Sequence, residues 1–257
     1  MKKQLTDFSI KKTGGVSPTC GIITLVPENG ESLPEILPGQ FVEVSAPGVM
    51  LRRPISVCDV DYDKNELTLL VRNAGKGTEA LLQLPEGSSI NILLPLGNGF
   101  TTDNASIKPG MKLLLVGGGV GTAPLFYLGK KLKETGAEIT FLTGAKNSGE
   151  LLLVNEMKQI APVAVTTDDG SEGEKGFVVN SSAWNSQWDY IYCCGPAPMM
   201  KAVAVLAREK NIPCEVSLEN MMACGLGACL CCVEKTVKGN VCVCSEGPVF
   251  NINDLTW

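Results

Sequence analysis

The chain has 257 residues, 44% of them hydrophobic, with 28 glycines and 15 prolines, enough for two ordinary domains and a small third one. A formal net charge of -5 argues against a broad nucleic-acid-binding face, and no apolar run approaches the roughly 20 residues needed to cross a bilayer. There is no histidine, which excludes a histidine base, a Cys–His nucleophile and a histidine metal ligand.

The opening segment, MKKQLTDFSIKK, carries lysines with no apolar core behind them and does not read as a secretory signal. The expected compartment is therefore the cytoplasm, where thiols stay reduced and clustered cysteines more often bind metal or do redox work than form disulfides. The runs GIITLVPE, GQFVEVSA, ELTLLVR and SSINILLP are short and β-branched or alternating, and Gly, Pro, Asn and Asp separate them. Strands at this spacing predict a small antiparallel barrel. Within it, LRRPISV (51–57) sets two arginines beside a proline, well placed to hold a phosphate, and Ser56 is placed to hydrogen-bond a flat ring. RNAGKGTEALLQL (72–84) reads as a glycine-rich turn entering a helix, with Gly77 and Thr78 at its start as an anion site. A solvated basic edge and an ordinary helix cap account for these residues equally well.

From about residue 111 the pattern changes to apolar strands alternating with amphipathic helices, which predicts a parallel sheet with crossover helices. MKLLLVGG, AEITFLTGA, APVAVTTDD and DYIYCCG are the strand-like runs; TAPLFYLGKKLKETG, ELLLVNEMKQI and PMMKAVAVLAREKN are the helix-like ones. GGGVGTAP (117–124) follows a strand and opens a helix, where glycines let a backbone approach a pyrophosphate. Many such turns serve only to join strand to helix, and Pro124 departs from the usual dinucleotide fingerprint. CCGPAPMM (193–200) is a second strand-to-helix turn, and both turns belong at the carboxyl ends of strands, where such sheets bind ligands. The plain reading of Cys193 and Cys194 is strand packing, and of Met199 and Met200 helix core.

After CEVSLEN the regular pattern stops and a cysteine-rich tail begins. Cys224, Cys229 and Cys232 follow the spacing C-x4-C-x2-C, with further cysteines at 242 and 244, which is the plant-type [2Fe–2S] ligand pattern. Gly225 and Gly227 let the loop turn closely and present N–H groups to the sulfurs. Cys231 competes with Cys232, which keeps the x2 step, and Cys242 competes with Cys244. A zinc loop of four cysteines and inert buried thiols are the alternatives, although zinc sites usually show two short paired steps.

Taken together, these pieces resemble the ferredoxin–NADP reductase superfamily. Arg53-Pro54-Ile55-Ser56 matches its flavin motif, Gly119-Val120-Gly121-Thr122-Ala123-Pro124 its G-x-G-x-x-P turn, and Cys194-Gly195-Pro196 its C-G-P turn near the nicotinamide. The order of the parts, with CGLGACLCCVEK and CSEGPVF at the end, closely resembles the electron-transfer-subunit family of dihydroorotate dehydrogenase B. The resemblance implies a multidomain α+β architecture: an antiparallel β-barrel FAD domain over 1–101, an α/β parallel-sheet NAD-binding domain over 102–212 and a small [2Fe–2S] domain over 213–257. It further implies that Leu70, Val71, Arg72, Gly77 and Thr78 contact the flavin and its phosphates. Gly119, Gly121, Thr122, Cys194, Gly195 and Pro196 would serve the nucleotide site. It selects Cys244 as the fourth ligand beside Cys224, Cys229 and Cys232, leaving Cys193, Cys231 and Cys242 as extra thiols.

The implied activity is oxidoreductase electron transfer in pyrimidine (UMP) biosynthesis, between NAD(H) and an FMN-containing catalytic subunit that oxidises dihydroorotate, two of each subunit together. No catalytic side chain is implied, because the cofactors carry the hydride and the electrons. KNSGELLL has one lysine and no arginine cluster, which leans toward NADH over NADPH. The neighbouring possibility is a flavin and iron–sulfur subunit of a related NAD(P)H–ferredoxin oxidoreductase or sulfide dehydrogenase. A cluster-based sensor would need a DNA-binding helix pair or a basic face, and the sequence has neither.

Overall fold

The computed structural model describes residues 2–257. Its first part is a closed antiparallel barrel of β1 (Gln4–Ser17), β2 (Cys20–Pro27), β3 (Phe41–Val44), β4 (Arg53–Asp61), β5 (Glu66–Arg72) and β6 (Ser89–Leu96), in the order β1-β2-β5-β4-β3-β6. Side chains alternate across a strand. Val42 and Val44 accordingly join Phe8, Ile23, Leu25, Val57 and Leu69 in the barrel core, while Phe41 packs in a different core outside it. The lysine-bearing opening segment was not expected as a strand. It forms β1 because Thr6, Phe8 and Ile10 are buried at alternate positions, with Lys11 and Lys12 exposed at the register shift that follows them. A short helix, α1 (Lys76–Leu82), bridges β5 and β6.

The second part is a seven-stranded sheet. It uses β7 (Lys112–Gly118), β8 (Glu138–Ala145), β9 (Val163–Thr167), β10 (Glu174–Lys175) and β11 (Tyr190–Cys194), with the crossover helices α2 (Thr122–Lys133), α3 (Val154–Lys158) and α4 (Ala197–Glu209). The sheet continues with β12 (Cys214–Ser217) and ends on β15 (Val249–Asn251), which runs antiparallel with Val216 opposite Phe250. The helix-like run ELLLVNEMKQI yields only the five-residue α3, since Leu151 is extended and Leu153 takes a left-handed backbone. Between β12 and β15 lie the cysteine loop, the hairpin β13 (Val233–Thr236) with β14 (Gly239–Cys242), and one helical turn, α5 (Val243–Glu246). Among the described residues no helix is long and apolar enough to cross a membrane.

Asn98 clamps the tail to the barrel. Its side-chain amide donates to the carbonyls of Glu246 (3.0 Å) and Val249 (2.9 Å), and its side-chain oxygen accepts from Val249 N–H at 2.9 Å. Its own N–H donates to Gly247. Asn98→Ala is expected to lower the unfolding free energy by about 2–3 kcal/mol, at roughly 1 kcal/mol per lost bond. Denaturant titration of the loaded protein measures this, and an unchanged midpoint would mean that the tail is held by packing alone.

Candidate functional site

Most of the predicted flavin-site residues converge on one cleft of about 280 Å³, while Arg53 and Gly77 adjoin lining residues without lining it themselves. Strand pairing sets Phe41 opposite Ser56. Pro54, Ile55 and Ser56 from β4 line the cleft together with Leu70, Val71 and Arg72 from β5 and Thr78 from α1. The walls are largely apolar, with a few polar groups along them, which is the chemistry that holds a flat heteroaromatic ring. The Ser56 hydroxyl is half-buried among these residues.

Arg53 lies directly over Gly77, so closely that a Cβ at position 77 would collide with its guanidinium. This explains glycine there better than backbone freedom does. Thr78 closes the turn: its hydroxyl donates to the Gly75 carbonyl (3.0 Å) and accepts from Ala74 N–H (2.9 Å). Because α1 has only seven residues, the positive charge here comes chiefly from arginine rather than from the helix end. Among the described residues neither Arg53 nor Arg72 forms an ion pair. Two uncompensated guanidinium groups beside an apolar cleft suit a ligand that is a ring at one end and a phosphate at the other.

The two strand-to-helix turns stand side by side, since β7 and β11 are neighbours with Gly117 opposite Cys194. Gly121 is required by contact: a Cβ there would strike the Cys194–Gly195 backbone. Gly119 turns with φ 55° and Gly195 with φ 158°, both in the region that favours glycine. The Thr122 hydroxyl donates to the Gly119 carbonyl at 2.8 Å, and Pro196 caps α4. Thr122 and Cys194 are both buried, so they shape the turns from behind; burial pushes the Cys194 thiol well above its ordinary range. Val120 and Ala123, from the first turn, also face the flavin-motif cleft.

The cysteine loop brings the predicted thiols together in two pairs. Cys224 and Cys229 are hydrogen-bonding neighbours, and Cys232 neighbours Cys244, whose N–H donates to the Cys232 sulfur at 3.4 Å. Loop N–H groups aim at sulfur: Leu226 N–H donates to Cys224 (3.4 Å) and Gly227 N–H to Cys244 (3.1 Å). The Leu226 N–H is the main reason the Cys224 thiol is held down to about 6, whereas burial pushes Cys244 up to about 12. Gly225 and Gly227 make these bonds possible with φ of 65° and 80°. Among the described residues no three His, Cys, Asp or Glu side chains are arranged around a single metal ion. Two adjacent thiol pairs fit a cluster of two irons, each taking two thiolates. Cys231 is exposed, while Cys242 is buried and directs its thiol at the Gly227 carbonyl (3.7 Å), although it also neighbours Cys232.

The motifs did not reveal several cleft residues. Phe41, Ala74, Leu218, Glu219, Asn220, Met221, Met222 and Pro248 complete the lining. Leu218–Met222 leads straight from β12 into Cys224, so the segment walling the cleft is continuous with the cysteine loop. Only the CEVSLEN run just before the cysteines hinted at this, as the last strand before the regular pattern ended.

Comparisons with known proteins agree with this geometry. The iron–sulfur cluster binding domain of dihydroorotate dehydrogenase B matches residues 219–256, and the oxidoreductase NAD-binding domain matches residues 115–205. The dihydroorotate dehydrogenase B (NAD(+)) electron transfer subunit of Streptococcus thermophilus is 42% identical over 231 residues, 86% of this chain and 88% of that protein. The corresponding subunit of Lysinibacillus sphaericus is 40% identical over 230 residues, again 86% of this chain and 88% of the relative. Among solved structures, one described as an NADH-dependent reduced ferredoxin-NADP oxidoreductase superposes with a TM-score of 0.85 at 32% identity, covering 97% of this chain and 90% of that one. Phthalate dioxygenase reductase shares the fold with a TM-score of 0.68 at 17% identity, covering 93% and 94% of the two chains. With the barrel, the paired turns and the cysteine loop in place, the chain belongs to the family of dihydroorotate dehydrogenase B electron-transfer subunits.

Proposed function

We infer that this chain moves electrons between NAD(H) and a catalytic dihydroorotate dehydrogenase subunit by way of FAD and a [2Fe–2S] cluster. The observation that carries this reading is the continuity of the cleft wall, Leu218–Met222, with Cys224 of the cysteine loop. A flavin and a cluster held there would be neighbours. When bound, the flavin exchanges a hydride with nicotinamide and single electrons with the cluster, so a chain without histidine suffices.

The residues have distinct tasks. Arg53 and Arg72 bind the flavin phosphates by charge, with Gly77 admitting the Arg53 guanidinium and Thr78 holding the turn. Pro54, Ile55, Ser56, Leu70 and Val71 hold the ring system. Gly119, Gly121 and Thr122 fix the first nucleotide turn, and Cys194, Gly195 and Pro196 the second. Cys224, Cys229, Cys232 and Cys244 hold the cluster, and the loop N–H groups stabilise thiolate charge. The flavin domain would span 1–101. β12 and β15, which flank the cysteine-bearing segment, both belong to the seven-stranded sheet, which supports ending the nucleotide domain at Ser217 instead of residue 212, with the cluster unit beginning at Leu218.

The partner is an FMN-containing catalytic subunit in a complex of two subunits of each kind. Met221, Leu226 and Leu230 are exposed apolar residues on and beside the cysteine loop, as a face covered by a protein partner would be. The cytoplasm suits the chain because all eleven of its cysteines are free thiols. Co-purification with such a subunit, followed by addition of dihydroorotate and NAD+, tests the reading. NADH formation that depends on this chain is the expected result. The likeness to the NADH-dependent reduced ferredoxin-NADP oxidoreductase supports a second reading, in which reduced ferredoxin and not dihydroorotate supplies the electrons.

A further inference from the structure

The segment Leu218–Met222 walls the flavin cleft and runs on into Cys224, yet few polar bonds hold it in place. Leu218 N–H donates to the Pro248 carbonyl at 2.9 Å. Among the described residues Glu219, Met221 and Met222 make no hydrogen bond, and Met221 is exposed. Asn220 is the exception. It lines the cleft, and its side-chain amide donates to a Glu234 carboxylate oxygen at 3.0 Å.

Glu234 belongs to the cysteine-bearing hairpin. It lies on β13 two residues after Cys232, opposite Val241 of β14. The same hairpin sets Val233 opposite Cys242, and Val243 N–H donates to the Cys232 carbonyl at 3.0 Å. The Cys244 N–H reaches the Cys232 sulfur at 3.4 Å, so Cys232 and Cys244 move as one unit with the hairpin. Among the described residues Glu234 forms no ion pair, and Asn220 is its one side-chain partner. A hydrogen bond to a carboxylate is stronger than a neutral one. One bond thus ties the wall of the cleft to the strand that follows a cluster ligand.

We propose that Glu234 is a positioning residue for electron transfer: through Asn220 it fixes the cleft wall against the hairpin that carries Cys232. The proposal rests on the reading of the cleft as the flavin site and of the cysteine loop as the cluster site. NADH delivers two electrons to the flavin as a hydride and leaves as NAD+. One electron then passes to the cluster, and the other stays on the flavin with the hydride's proton. The hydride step depends on ring stacking in the cleft, whereas passage to the cluster depends on the separation held between cleft and hairpin. A misplacement of about 1 Å costs a positioned pair up to roughly 10²-fold in rate.

The test mixes the intact, anaerobically loaded protein rapidly with NADH. Flavin bleaching is followed by absorbance and cluster reduction by freeze-quenched electron paramagnetic resonance, after FAD, iron and sulfide contents are measured. Glu234→Ala removes the acceptor. Glu234→Gln removes the charge, but its amide oxygen still accepts from Asn220. In Glu234→Ala the flavin should bleach at the parent rate while the cluster is reduced about tenfold or more slowly. In Glu234→Gln both rates should match the parent. Backbone hydrogen exchange over 218–224, measured without NADH, should be faster in Glu234→Ala and parent-like in Glu234→Gln.

Slow cluster reduction in both variants would be an effect of charge near the cluster and overturns the proposal. Unchanged exchange also overturns it, as does faster exchange with an unslowed cluster, the mark of a brace that is only structural. If Glu234→Ala loses iron, Asn220→Asp, which sets two carboxylates face to face, is measured for cluster reduction relative to flavin bleaching. Slower cluster reduction there supports the proposal, and an unslowed cluster or renewed iron loss overturns it. A parent protein that carries FAD but no iron overturns the cluster reading and this proposal together. A parent reduced at both centres at rates that Glu234→Ala reproduces overturns this proposal alone.

Discussion

Cys244→Ser is expected to abolish the cluster, with less than a tenth of the parent iron and acid-labile sulfide retained after anaerobic purification. Cys242→Ser is expected to keep it. The two positions are separated by a single residue, and ligand spacing alone does not choose between them. The two sulfurs face different groups. Cys244 accepts the Gly227 N–H, its own N–H points at the Cys232 sulfur, and it is completely buried. An N–H aimed at sulfur stabilises a thiolate, which is the form that binds iron. Cys242 instead points its S–H at a carbonyl oxygen, an interaction that needs the proton and is lost in the thiolate. Iron retained in Cys244→Ser but lost in Cys242→Ser would reverse the assignment.

Arg53→Ala is expected to weaken FAD binding by about 1.5–3 kcal/mol, the usual worth of a hydrogen bond to a charged group. That is roughly a tenfold to more than hundredfold rise in Kd, by the rule that 1.4 kcal/mol is tenfold. Arg53 has no carboxylate partner to lose and sits over Gly77 at the edge of the cleft, so its removal should leave the barrel folded. Fluorescence titration of the deflavinated protein with FAD checks this. Equal affinity in parent and variant would move the phosphates away from Arg53, with Arg72 as the remaining unpaired arginine along this cleft. Gly77→Ala offers an independent check, because its methyl group would displace the same guanidinium without removing any charge.

Four barrel strands, the main sheet strands and both glycine turns were legible as local patterns. GIITLVPE and ELTLLVR alternate as half-buried strands do, and MKLLLVGG is the unbroken apolar run of a strand covered on both faces. β1 was hidden because polar residues and glycines outnumber its buried face of Thr6, Phe8 and Ile10. The cysteine spacing disclosed the iron–sulfur segment, since Cys224, Cys229 and Cys232 lie within nine consecutive residues and such spacing is a local property. Whatever depends on pairing between distant segments stayed out of reach. The return of Val249–Asn251 to the sheet, the closure of the flavin cleft by Leu218–Met222 and Pro248, and the placement of Glu43 under Gly225 all arise from register between strands far apart in sequence. In GQFVEVSA, Glu43 reads as the polar position of an ordinary alternating strand; only the assembled molecule buries it.

The chain is expected to join a nicotinamide-reducible flavin to an iron–sulfur cluster. The most direct measurement is the visible absorption spectrum of anaerobically purified protein before and after addition of NADH. Flavin bands on a broad iron–sulfur envelope reaching to longer wavelength are expected, with both bleaching when NADH is added. Flavin bands that bleach without any such envelope, or a colourless protein containing zinc, would contradict it.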